Sequence, residues 1–95
     1  MDINTIRLNF DKSLSGLAGY DFGKEIYTHQ VKGKLDYSKK NILVFPDNIE
    51  RIASSFIQGF FAEIVDEVGI EGIDCKIDFQ SAKINLKDKV LQNLV

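Results

Sequence analysis

Two adjacent serines, Ser54 and Ser55, are the residues of this chain with the clearest capacity for chemistry. They follow an apolar run, 42–45, and a turn-forming stretch that begins at Pro46. Peptide N–H groups at a helix start have no intrahelical partner, and the helix dipole is positive there. A serine at that place can cap the helix, and a phosphate on it would be stabilised by the same groups. Two roles therefore stay open, a structural N-cap and a phosphorylation switch.

The residues after the serines predict a long amphipathic helix from about Ser55 to Val68. Ser55 and Gln58 have the spacing of a capping box, and Gly69 is typical of a helix C-terminus. Acidic residues, including Glu63 and Asp66, gather towards the end of this helix and form either a solvated face or a binding face. The apolar positions recur at helical spacing, and they are Ile57, Phe60, Phe61, Ile64, Val65 and Val68.

A second candidate segment carries Ser15, Gly16, Gly19 and Gly23 between a predicted strand and a predicted helix. Glycines in that context can cradle a phosphate. Their spacing matches neither the dinucleotide-binding fingerprint nor the Walker pattern. Close packing of the helix against the sheet and binding of a small ligand or nucleotide are the two interpretations.

The remaining side chains predict no catalytic centre, no cofactor and no metal site. The single histidine, His29, and the single cysteine, Cys75, are far apart in the sequence, and no acid and base pair is recognisable. Cys75 falls on the apolar side of a predicted strand, where a buried and inert thiol is expected. We therefore do not expect an enzyme.

Composition indicates a single domain spanning residues 1–95, with 44% hydrophobic and 27% charged residues. No apolar run approaches the roughly 20 residues that a bilayer requires, and the start lacks the pattern of a secretion signal. A cytoplasmic protein without membrane contact is the expectation. A net charge of −2 offers no electrostatic footprint for nucleic acid.

Hydrophobic periodicity predicts three strands and three helices in alternation. Ile6, Leu8 and Phe10 alternate with polar residues, as do the residues of the range 73–79, whereas the range 42–45 is apolar throughout and suits the middle of a sheet. A first helix starts near Gly19 or Tyr20, and Asn85 can cap a last one. The order β-α-β-α-β-α predicts an α/β domain with helices mainly on one face.

One pattern extends over most of the chain and includes Ala18, Gly19, Phe22, Ile26, the strand 42–45, the run 49–56, Ile57, Gly59, Phe60 and Phe61. On these residues the chain, from Gly19 to Leu94, resembles the bacterial STAS-like domains of unknown function, which are distant relatives of the sulfate-transporter and anti-sigma-factor-antagonist fold. The resemblance implies one STAS-like domain with a mixed sheet.

In the antagonists a strand leads to Asp-Ser-Ser/Thr-Gly at a helix start, and a partner kinase phosphorylates the first hydroxyl residue. On this chain Ser54 takes the phosphorylated position, Ser55 the second hydroxyl, Ala53 the place of the Asp and Phe56 that of the Gly. The resemblance therefore implies a regulatory protein-interaction module with a histidine-kinase-like ATPase as partner. The expected docking residues are Asp47, Glu50, Arg51, Gln58, Glu63 and Asp66.

Two other functions remain as alternatives. One is a small-ligand or nucleotide-binding domain that uses the loop with Ser15, Gly16 and Gly19. The other is a structural or homo-oligomerising unit, in which the wet face of the predicted strands pairs with a second copy. The residues expected on that face include Arg7, Asn9, Asp74, Lys76 and Asp78.

Overall fold

The chain forms an α/β fold, as expected, in a computed structural model that describes residues 2–81 and 86–94. Asn85, the expected cap of the last helix, lies outside the described residues. The strands are β1 (Ile3–Arg7), β2 (Gly16–Leu17), β3 (Lys40–Val44), β4 (Arg51–Ile52) and β5 (Ile77–Gln80). The helices are α1 (Tyr20–Ile26), which continues into a π-helical turn (Tyr27–Val31), α2 (Ser54–Lys76) and α3 (Leu86–Leu94).

The strands form two separate sheets. The larger has the order β1-β3-β5, with Thr5 opposite Ile42 and Ile42 opposite Asp78, and the smaller pairs β2 with β4. The apolar strand β3 lies in the middle, as its composition predicted. All pairings among the described residues are parallel, so the expected mixed sheet is not found there, and the short strands β2 and β4 add to the expected element order.

The larger sheet has one well-covered face. Ile6 and Leu43 lie opposite each other and are buried, whereas their neighbours Thr5 and Arg7 are exposed and Val44 is half-buried. Side chains alternate between the two faces of a strand, so the buried positions mark the side on which α2 packs. The core residues with no measurable exposure are Val31, Leu43, Ile49, Phe60, Ile64, Ile73 and Ile77.

Two glycines allow α1 and α2 to cross at close range. A Cβ atom on Gly59 would collide with the carbonyl oxygen of Tyr20, and one on Gly23 would collide with the carbonyl of Phe56 and lie 2.8 Å from the amide nitrogen of Phe60. The predicted packing role is therefore found at Gly23, but between two helices rather than between helix and sheet. The crossing fixes the start of α1 against the first turns of α2.

The predicted strand 73–79 is wrong in its first half. Gly69 has φ 72° and interrupts α2 as predicted, but the chain then resumes a helix to Lys76, and strand β5 begins only at Ile77. Ile73 and Ile77 are both buried and are four residues apart, a spacing that also suits a helix. Cys75 is consequently exposed rather than buried.

Because residues 73–76 form a helix and not a strand, the solvent-exposed face that was expected for the predicted strands also changes. Asp74 and Lys76 belong to α2, so only Arg7 and Asp78 of the strand residues expected there lie in the sheet. Asn9 follows β1, and its backbone N–H and carbonyl are both paired with the side-chain amide of Gln30 at 2.7 Å. The surface offered for pairing with a second copy is correspondingly smaller.

A buried polar residue organises the entry to β3. The Asn41 side chain is fully buried, donates to the carbonyls of Asp36 (2.9 Å) and Lys39 (3.2 Å), and accepts from Asn4 (2.8 Å). Buried amides are tolerated when their hydrogen bonds are made, so Asn41 fixes the connection that precedes the central strand. Among the described residues, no helix is sufficiently long and apolar to cross a membrane.

Candidate functional site

The two serines lie in the first turn of α2, and neither caps it. The N-cap is Ala53, whose φ of −79° and ψ of 155° are extended, and no side-chain cap hydrogen bond is formed. The Ala53 N–H donates to the carbonyl of Leu17 at 2.8 Å, which continues the β2–β4 pairing by one residue. Because the extended backbone reaches Ala53, the helix starts at Ser54. The predicted N-cap role of Ser54 or Ser55, and with it the capping box to Gln58, is wrong.

Ser55 instead joins α2 to the start of α1. Its Oγ accepts the backbone N–H of Gly19 at 2.9 Å, and Gly19 adopts φ 102°, a conformation that favours glycine. The structure thus brings together Ser55 of the serine pair and Gly19 of the glycine loop. Because Ser55 accepts the Gly19 N–H, this N–H is not available to bind a phosphate.

Ser54 is exposed, and its hydroxyl makes no hydrogen bond to any part of the chain that the structure describes. Its position directly after Ala53 places it at the positive end of a long helix. The two hydroxyls therefore differ: Ser55 supports the fold and Ser54 is accessible to another protein.

The expected docking residues lie on α2 and in the segment that precedes it. Gln58 and Asp66 are exposed and lie eight residues apart, so with the serines they follow one side of α2 at 100° per residue. Glu63 lies about 140° around the helix from Gln58, and its carboxylate is 3.5 Å from the ammonium of Lys32, after the π-helical turn. Asp47, Glu50 and Arg51 are exposed in the turn and strand that lead to the helix.

The turn before β4 is bonded to the glycine loop. The carbonyl of Ser15 accepts the N–H groups of Glu50 (2.7 Å) and Arg51 (3.2 Å), and the Asn48 amide donates to the carbonyl of Leu14 at 2.7 Å. The two segments that the sequence singled out are therefore one structural unit. They form the walls of a surface groove.

This β2–β4 groove has a volume of about 660 Å³. Ser15 and Gly16 of the expected ligand loop line it, whereas Gly19 does not. Lys89, which reaches the groove from α3, is not among the residues predicted for this site, and Arg51 is expected only as a docking residue. The lining residues are Ser13, Leu14, Ser15, Gly16, Leu17, Ala18, Arg51, Ile52, Ala53 and Lys89.

Shifted pKa values occur away from the serines. The backbone N–H and hydroxyl of Ser13 stabilise the charged form of Asp11 and lower its pKa. Burial, followed by the hydrogen bond and charge of Glu67, raises the pKa of Tyr37, whose hydroxyl donates to Glu67 at 2.9 Å. Within residues 2–81 and 86–94, no three His, Cys, Asp or Glu side chains are grouped so that they could hold a metal ion.

Comparisons of the chain with protein-family models, with curated proteins and with solved structures find no match. The STAS-like resemblance therefore stays a prediction. The functional assignment depends on the geometry of the β4–α2 junction and of the groove beside it.

Proposed function

We propose that the chain is a small regulatory protein-interaction module, similar to the anti-sigma-factor antagonists. The docking surface of this module is the junction between β4 and α2. The observation that carries this proposal is the accessible hydroxyl of Ser54 in the first turn of a long helix. Gln58 and Asp66 extend the same exposed side of the helix, and Asp47 and Glu50 lie just before it.

Ser54, rather than Ser55, is the proposed phosphorylation site. Both serines are exposed, but the Ser55 oxygen already accepts the Gly19 N–H. A phosphate adds about −1.5 to −2 charge, which the positive end of α2 stabilises. Near Asp47 and Glu50 it would turn a weakly acidic surface into a strongly acidic one. A partner that docks through basic residues would then distinguish the two forms.

The proposed partner is a histidine-kinase-like ATPase, taken from the resemblance to the antagonists. Phosphopeptide mass spectrometry of the native protein, from cells sampled in several growth phases, tests the switch. We expect phosphate on Ser54 and none on Ser55. The absence of phosphate on Ser54 in every condition would remove the switch.

Docking is tested separately by measuring the affinity of the purified chain for a candidate ATPase. The variant Asp66→Arg reverses a charge on the exposed side of α2 and is expected to weaken binding by about tenfold. Glu25→Arg makes the same change on the exposed surface of α1 and serves as the matched control. Equal effects of the two variants would argue against a docking surface on α2.

A further inference from the structure

We propose that the β2–β4 groove binds a small organic anion, a carboxylate or phosphate carried on a short apolar group. The groove borders the proposed docking surface: Arg51, Ile52 and Ala53 of the β4–α2 junction line it, whereas Ser54 and Gln58 do not. The proposal stands independently of the regulatory function.

The charged residues in the described lining of the groove are both cationic, although the chain carries a net charge of −2. Arg51 and Lys89 both line it, and its described lining contains no carboxylate. Neither cation forms an ion pair with another described residue. Two cations at one concave surface, with no carboxylate among its described lining residues, favour an anionic ligand by complementarity.

The Arg51 side chain lies alongside Gly16. A Cβ atom on Gly16 would be 3.9 Å from Nε of Arg51 and 3.7 Å from its carbonyl oxygen. The arginine stem therefore crosses β2 at the one residue of that strand without a side chain. A guanidinium in this place can donate two parallel hydrogen bonds to a carboxylate or phosphate.

The rest of the lining is mainly apolar. Leu14, Leu17, Ile52 and the methyl groups of Ala18 and Ala53 contribute to it. A volume of about 660 Å³ falls within the roughly 300–1,000 Å³ typical of small-molecule sites. An inorganic anion would leave this apolar wall in contact with water, and an uncharged apolar ligand would leave both cations unpaired. A ligand with an anionic head and an apolar body satisfies both parts.

The test uses two probes that share this chemistry, hexanoate and hexyl phosphate, titrated into the ¹⁵N-labelled chain. We expect saturable shifts of the amide resonances of the ranges 16–18 and 51–53 at millimolar concentrations. Whichever probe binds more tightly identifies the preferred head group. Hexanol and inorganic phosphate each supply only half of the recognition, so each should bind at least about tenfold more weakly.

Charge-neutralising variants locate the binding. Arg51→Gln and Lys89→Gln should each weaken hexyl phosphate binding by about fivefold, since each removes one cation. Arg7→Gln and Lys24→Gln are matched controls, because both residues are exposed and lie outside the groove. Controls that weaken binding as much as the groove variants would overturn the proposal.

A filling variant provides a readout that does not depend on charge. Ala18 is exposed and lines the groove, so Ala18→Phe should occupy it without disturbing the core. We expect loss of binding with an unchanged far-ultraviolet circular dichroism spectrum. Full binding by Ala18→Phe, the absence of saturable shifts with both probes up to about 10 mM, or equal binding of hexanol would each refute an anion site here.

Discussion

Single alanine substitutions of Ser54 and Ser55 separate two positions that the sequence makes equivalent. The Ser55 Oγ accepts the Gly19 N–H at 2.9 Å, and a hydrogen bond of this kind contributes about 0.5–1.5 kcal/mol net. The better helix propensity of alanine offsets a few tenths of a kcal/mol of this loss in the free energy of unfolding. We therefore expect Ser55→Ala to lower the free energy of unfolding by about 0.5–1 kcal/mol.

Ser54→Ala should leave the free energy of unfolding unchanged within about 0.3 kcal/mol or raise it slightly, because its hydroxyl is exposed and alanine suits the first turn of a helix. A true N-cap serine would instead cost about 1 kcal/mol on replacement. Urea denaturation followed by circular dichroism, analysed by linear extrapolation, measures both values.

Two further measurements make the comparison specific. Ser55→Thr keeps a hydroxyl and should retain most of the stability that Ser55→Ala loses. The amide proton of Gly19 should exchange faster with solvent in Ser55→Ala and at the wild-type rate in Ser54→Ala. A larger loss of stability in Ser54→Ala than in Ser55→Ala would refute the assignment of Ala53 as the N-cap.

Three other changes test the fold. Gly59→Ala should lower the free energy of unfolding by about 1–3 kcal/mol despite the better helix propensity of alanine, because the added methyl group collides with the backbone of α1. The control Gly16→Ala adds a methyl group that makes only ordinary contacts, so it should change the free energy of unfolding by less than about 0.5 kcal/mol. Urea denaturation measures both values. Tyr37 has a raised pKa in the fold, so the stability it contributes is complete below its ordinary pKa of 10.0 and is lost as pH rises above it. Tyr37→Phe removes the hydroxyl that donates to Glu67. In this variant the free energy of unfolding, measured by denaturation at a series of pH values, should fall less as the pH rises above 10. Cys75 should react with Ellman's reagent in the native protein without unfolding, whereas protection until unfolding would favour the strand that the sequence predicted.

The elements predicted correctly are those in which burial and periodicity agree. The range 42–45 is apolar at every position, and its first three residues lie in the central strand β3, between β1 and β5. The helix after the serines has an apolar stripe, of which Phe60 and Ile64 are fully buried. In these segments the apolar residues of the local pattern are the ones that tertiary packing buries.

The segment 73–79 was mispredicted because its pattern fits two periods. Ile73, Cys75, Ile77 and Phe79 alternate as in a strand, but Ile73 and Ile77 are also one helical turn apart. The left-handed conformation of Gly69 ends one stretch of helix, yet nothing in the local sequence specifies whether helix or strand follows it. Burial of both isoleucines is compatible with either choice, so the remaining tertiary contacts decide it.

The N-cap was mispredicted for a different reason, because its position is set by strand pairing rather than by capping preference. Ala53 lies at the end of a backbone ladder to Leu17, a residue 36 positions away in the sequence. That pairing holds Ala53 extended and moves both serines into the helix, where serine has no special advantage. The same pairing places Arg51 over Gly16 and so creates the cationic side of the groove. Docking surface and groove therefore depend on one two-stranded ladder, which a search for local motifs could not reveal. A substitution that broke this ladder would disturb both, whereas Ser54→Ala leaves the lining of the groove unchanged.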